Sequence, residues 1–186
     1  MRGLPKQVKN FLDKAIDSAL LAVETYNKPA VKFKSGGYIV LMCIAWTSLL
    51  HAIFVKKKIK PIYKEGKRYK KVNGELQYWE LKTCISKYIN ADNDPIRKNI
   101  EFFIPLRNKI EHKFLPEIDP NIFGECESLL LNFDKIVEKE FGTKYCLRES
   151  LSFIKSSKSI KEGGIAISLA KMALFGGYGI DVELDI

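Results

Sequence analysis

Arg107-Asn108-Lys109-Ile110-Glu111-His112 sets a guanidinium, an amide, a carboxylate and one of only two histidines within six residues. A guanidinium grips a phosphate with two parallel donors, and an imidazole moves a proton near neutral pH. Together they are sufficient equipment for cutting RNA without a metal, with Asn108 able to orient either group. The same residues also have a plainer use. Arg107 and Glu111 are four apart, a spacing that supports a surface ion pair worth a few tenths of a kcal/mol. Lys109 and Lys113 would then be solvated, and His112 would sit in a last turn beside the negative end of the helix dipole. On an ideal helix Arg107 and His112 lie about 140° apart around the axis. A shared site therefore needs a cleft at a helix end, or a second protomer.

Other chemistries find no equipment. The serines form no G-x-S-x-G elbow, and there is no G-x-x-x-x-G-K-[ST] loop for nucleotide phosphates. Glu138 and Glu140 read as ordinary helix-surface charges, and no carboxylate cluster suits a metal-dependent nuclease. Cys43, Cys84, Cys126 and Cys146 are scattered without a C-x-x-C pair, so neither a structural zinc nor a cofactor is expected. Reduced thiols packed as small hydrophobes fit a cytoplasmic protein.

The formal charge of +9 is concentrated in one place. Residues 56–71 hold nine Lys or Arg against one Glu, a local +8. Such a patch points to an anionic partner. Lys56, Lys57, Lys58, Lys60, Lys67, Arg68, Lys70 and Lys71 are the candidate phosphate contacts, and Tyr63 and Tyr69 among them could stack on bases. The alternative is an exposed hairpin whose edge lysines discourage strand pairing.

Helices must position these groups. Val8, Phe11, Leu12, Ala15, Ala19, Ala22 and Val23 predict an amphipathic helix from about Pro5 to Tyr26. Tyr38 to Val55 is eighteen residues with no formal charge, followed by three lysines. Length and flank fit a minimal membrane span, but Thr47, Ser48 and His51 interrupt it, and a buried central helix looks the same. We read it as a core helix, without a membrane, and His51 as a satisfied core histidine. Asn73-Gly74 between Tyr69–Val72 and Glu75–Tyr78 signals a hairpin, with an earlier turn at Glu65-Gly66. A short helix follows over Trp79–Ile89. Asp94-Pro95 can cap the next helix, which carries the motif on a stripe of Ile96, Ile100, Phe103, Leu106 and Ile110, with Phe102 and Phe114 at its margins. Pro105 inside it predicts a kink. Pro116 and Pro120 bound the next loop, and a last helix runs to Phe141, stopped by Gly142. The fold class is mainly α, a helical bundle with a small inserted β-hairpin. Its domain is 1–142, with the basic insertion at about 56–79. Residues 143–186 form a C-terminal extension with no assigned structure.

The motif and its surroundings carry a resemblance. The Arg-x4-His spacing resembles the motif of the HEPN superfamily, whose helical domains include many prokaryotic ribonucleases of toxin–antitoxin and phage-defence systems. The stretches at 19–33, 38–54, 96–119 and 123–142 are similar to a bacterial family of unknown function associated with that superfamily, often longer than this chain. The resemblance implies a HEPN-like bundle and a homodimer in which Arg107, Asn108 and His112 of each protomer form a composite site. It implies cleavage of RNA by 2′-hydroxyl attack, with an antitoxin or defence-system protein as a further partner. A helical module that dimerises or binds RNA without cleaving it is the competing expectation.

Overall fold

The computed structural model describes residues 3–28, 33–112 and 122–147, apart from the side chains of Glu111, His112 and Phe123. Phe114, Pro116, Pro120 and most of the C-terminal extension lie outside the described residues. Five α-helices are described: α1 (Lys6–Asn27), α2 (Lys34–Lys56), α3 (Leu81–Tyr88), α4 (Pro95–His112) and α5 (Phe123–Phe141).

α1 buries Val8, Leu12, Ala15, Ala19 and Ala22, a stripe at alternating steps of four and three. Three alanines at its centre let the backbone come close to α2, since interaxial distance follows the side chains at the contact. The α1–α2 pair is the most extensive helix contact in the fold.

α2 is apolar all round because protein covers most of its surface. α1, α3, α4 and α5 each pack on it. Ile39, Met42, Trp46, Leu49, Leu50 and Ile53 are fully buried, each worth about 1.5–3 kcal/mol of transfer free energy for an ordinary aliphatic or aromatic side chain. It is the one helix among the described residues long and apolar enough to cross a membrane, yet 72% of its most apolar window is buried against protein. Its hydrophobicity is accounted for by the core. The Tyr38 hydroxyl donates to the Cys126 carbonyl at 2.7 Å and ties α2 to α5.

The end of α2 turns sharply. Lys58 takes φ +60°, its N–H bonds the Val55 carbonyl at 2.9 Å, and the Ile59 N–H reaches Phe54 O at 2.8 Å. This is a Schellman arrangement with a lysine where glycine is usual. The chain then makes two minimal antiparallel ladders, β1 (Lys64–Glu65) with β2 (Arg68–Tyr69), and β3 (Lys71–Val72) with β4 (Glu75–Leu76). Asn73 and Gly74 both have positive φ, as a type I′ turn demands, whereas Gly66 alone does so in the first turn. The segments meet in a ring of three backbone bonds: Tyr63 N–H to Gln77 O, Gln77 N–H to Lys70 O, and Lys70 N–H to Tyr63 O. The insertion is thus two hairpins joined at one backbone junction.

α4 starts as the sequence predicts, with Asp94 Oδ1 accepting from the N–H groups of Ile96 (2.9 Å) and Arg97 (3.1 Å). The helix continues through Pro105 to His112. Arg97 reaches Glu101 and Asp92 and donates to the carbonyls of Ile89 and Asn90, clamping the preceding loop onto α4. Gly142, at φ +94°, ends α5.

Candidate active site

α1, α2, α4 and the segment joining the hairpins to α3 line a half-open cavity of about 380 Å³. Its floor is α2, which contributes Cys43, Thr47, Ser48 and His51. Phe11, Tyr78 and Trp79 give it aromatic walls. The exposed rim carries Lys14, Glu80, Lys82, Arg107 and Asn108, three formal cations against one carboxylate. Ile104, one turn before Arg107 and Asn108, seals the α4 side. The cavity is basic and aromatic, a combination suited to an anion bearing a ring.

His51 is fixed in this floor. Its Nε2 lies 2.9 Å from the Trp79 carbonyl oxygen, which can only accept, so Nε2 carries the hydrogen. Nδ1 is the nitrogen left for anything that enters the cavity. Phe11 stands edge-on to the imidazole at 5.5 Å, and Tyr78 lies tilted at the same distance. Burial pushes the imidazole pKa below its ordinary value; the Trp79 carbonyl opposes that shift and the charge of Lys14 adds to it. His51 is therefore neutral at physiological pH.

The structure thus places two of the three motif residues, Arg107 and Asn108, together on the rim. His112 is the last residue of α4, four beyond Asn108 and so on the same helical row, with its side chain outside the described residues.

The basic insertion divides into two kinds of residue. Lys56 donates to the Glu140 carbonyl and lies 4.9 Å from the Phe141 ring centroid. Lys57 pairs with Glu140 at 3.4 Å and sits over Tyr88. The Tyr63 hydroxyl shares a hydrogen bond with Thr83 Oγ1 at 2.7 Å, so this ring anchors the hairpins to α3. Lys58, Lys67, Arg68, Lys70 and Lys71 are exposed. Tyr69 is exposed too, with Lys60 and Lys64 over its ring at 5.4 and 5.8 Å. Among the described residues no group of three His, Cys, Asp or Glu could hold a metal ion.

Residues 10–171 match the family described as a domain of unknown function (DUF3644). The chain belongs to that family. No curated protein and no solved structure matches it. Within this DUF3644 chain, reading the sequence alone missed His51, Lys14 and Lys82 as cavity residues. A signal was present for the first: Thr47, Ser48 and His51 gather polar atoms at i, i+1 and i+4 on one side of an otherwise apolar helix. For the lysines there was none, because their neighbours come from distant parts of the chain.

Proposed function

We propose that this DUF3644 chain is a HEPN-like, metal-independent endoribonuclease of the cytoplasm, a toxin or phage-defence effector that works as a homodimer. The observation that carries the reading is the position of Arg107 and Asn108 on the rim of a basic, aromatic cavity, with His112 on the next turn of the same helical row. Arg107 would neutralise charge developing on phosphorus, an electrostatic contribution of several kcal/mol in a partly dry site. His112 would move a proton at the ribose 2′-oxygen or at the departing 5′-oxygen, and Asn108 would hold the imidazole or a phosphate oxygen. The products would be 2′,3′-cyclic phosphate and 5′-hydroxyl ends, and DNA would resist because it lacks the nucleophile.

The test is incubation with total RNA in EDTA, followed by end-group analysis. Wild type should cut, while Arg107→Ala and His112→Ala should lose at least about a hundredfold in rate with the fold kept. If both variants cut normally, the site assignment is wrong.

A non-catalytic RNA-binding module is the second reading, favoured by the exposed cations of the two hairpins. Changing Lys67, Arg68, Lys70 and Lys71 to glutamine should then weaken RNA binding and flatten its salt dependence, with no effect from His112→Ala. Binding that ignores those changes would exclude this version.

A further inference from the structure

Cleavage by 2′-hydroxyl attack moves two protons, one off the attacking oxygen and one onto the departing oxygen. The chain has two histidines, one of which is in the motif. We propose that His51 is the second proton-transfer residue of this site, the base that takes the 2′-hydroxyl proton while His112 protonates the 5′-oxygen. The inference rests on the ribonuclease reading above and extends it to a residue outside the motif.

Three observations carry it. His51 is only 6% exposed, yet it lines the same cavity as Arg107 and Asn108. Its Nε2–H is committed to the Trp79 carbonyl, which sets the tautomer and leaves the Nδ1 lone pair as the basic position. The cavity, at about 380 Å³, falls in the range of pockets that hold small ligands. A histidine serving only the core has no need of such a space beside it. The charged groups facing this space are Lys14 from α1, Glu80 and Lys82 at the start of α3, and Arg107 from α4. Their balance is cationic and favours a neutral imidazole, the form a base requires. The orientation of the ring by a backbone carbonyl parallels the general need of a catalytic base for a third group that holds it.

The step balances. The O2′–P bond forms as Nδ1 of His51 takes the hydroxyl proton. The P–O5′ bond breaks as the His112 imidazolium gives its proton to O5′. Arg107 offsets the charge on the non-bridging oxygens. His51 ends protonated and His112 neutral, and exchange with water restores both.

The deciding experiment compares wild type with His51→Gln, whose side-chain amide can still donate to the Trp79 carbonyl. Cleavage of a short RNA in EDTA is followed from pH 4.5 to 9. The variant should lose about a hundredfold or more in kcat, with KM within about threefold of wild type. The acid limb of the wild-type profile should fall below the ordinary histidine range near pH 6.5 and vanish in the variant. A variant with kcat within about threefold of wild type and the same acid limb overturns the proposal and leaves the ribonuclease reading intact. A wild type that cuts no RNA in EDTA overturns both. Should the variant not fold, nitrogen NMR of the wild-type imidazoles decides. A nucleoside 3′-phosphate, which keeps the 2′-hydroxyl but has no 5′-oxygen to expel, should shift Nδ1 of His51 more than Nε2, and an unmoved Nδ1 overturns the proposal.

Discussion

Burial acts in opposite directions on the titrating side chains of this bundle. It pushes the Cys84 thiol up to about 12 and raises the hydroxyls of Tyr38 and Tyr88, because each loses its charged form to the low dielectric. It lowers His51, whose charged form is the protonated one. Stability follows from that sign. Between the depressed folded pKa and the unfolded value near 6.5, the unfolded chain binds more protons than the folded chain. Stability should therefore be flat with respect to His51 above about pH 6.5 and fall as the pH drops below it. Urea unfolding at pH 8 and pH 5 should show that loss in wild type and a smaller one in His51→Gln. The thiols give a second expectation. All four cysteines are buried thiols outside any disulfide, so a thiol reagent at pH 8 should react slowly with the native chain and fully once urea unfolds it. Rapid labelling of Cys84 in the native state would contradict its burial.

At the scale of elements, the turns and caps obey local chemistry closely. Asp94 holds two orphan donors of α4, so Asp94→Ala should cost about 1 kcal/mol, read as a lower urea midpoint. Lys58 occupies a left-handed C′ position that suits glycine, and Lys58→Gly should stabilise by up to about 1 kcal/mol while removing one candidate phosphate contact. The Asp94 cap and the Asn73-Gly74 turn were legible in the sequence, because a cap or a turn depends on residues a few positions apart, whereas nothing in the lysine run marked Lys58. Pro105 left the continuity of the motif helix open, and α4 is helical on both sides of it to His112, with Ile100, Phe103 and Ile110 buried in the core. Packing along the whole helix outweighs one lost hydrogen bond. The basic run was harder still. Its composition treats Lys56 and Lys57 like Lys70 and Lys71, whereas the fold ties the first two to Glu140, more than eighty residues away.

For the whole molecule, the core is organised about α2, and its apolar stripe partners were readable from periodicity. Leu50→Ala should cost about 2–5 kcal/mol, detectable as a fall in Tm, because the side chain is fully buried in the cluster that joins the helices. The cavity was not readable. His51 meets Trp79 across 28 residues and shares a wall with Arg107 across 56, and no local pattern announces such meetings. The same central placement of α2 shapes how the chain is made. Of the four helices that cover α2, only α1 precedes it in the chain. At ordinary translation speeds, roughly 4–17 seconds separate the emergence of Phe54 from that of Phe141. During that interval an uncharged eighteen-residue segment has only α1, of its four covering helices, for shelter. The α1–α2 contact, the most extensive in the fold, is thus the first cover that α2 can gain while the rest of its surroundings is still being made.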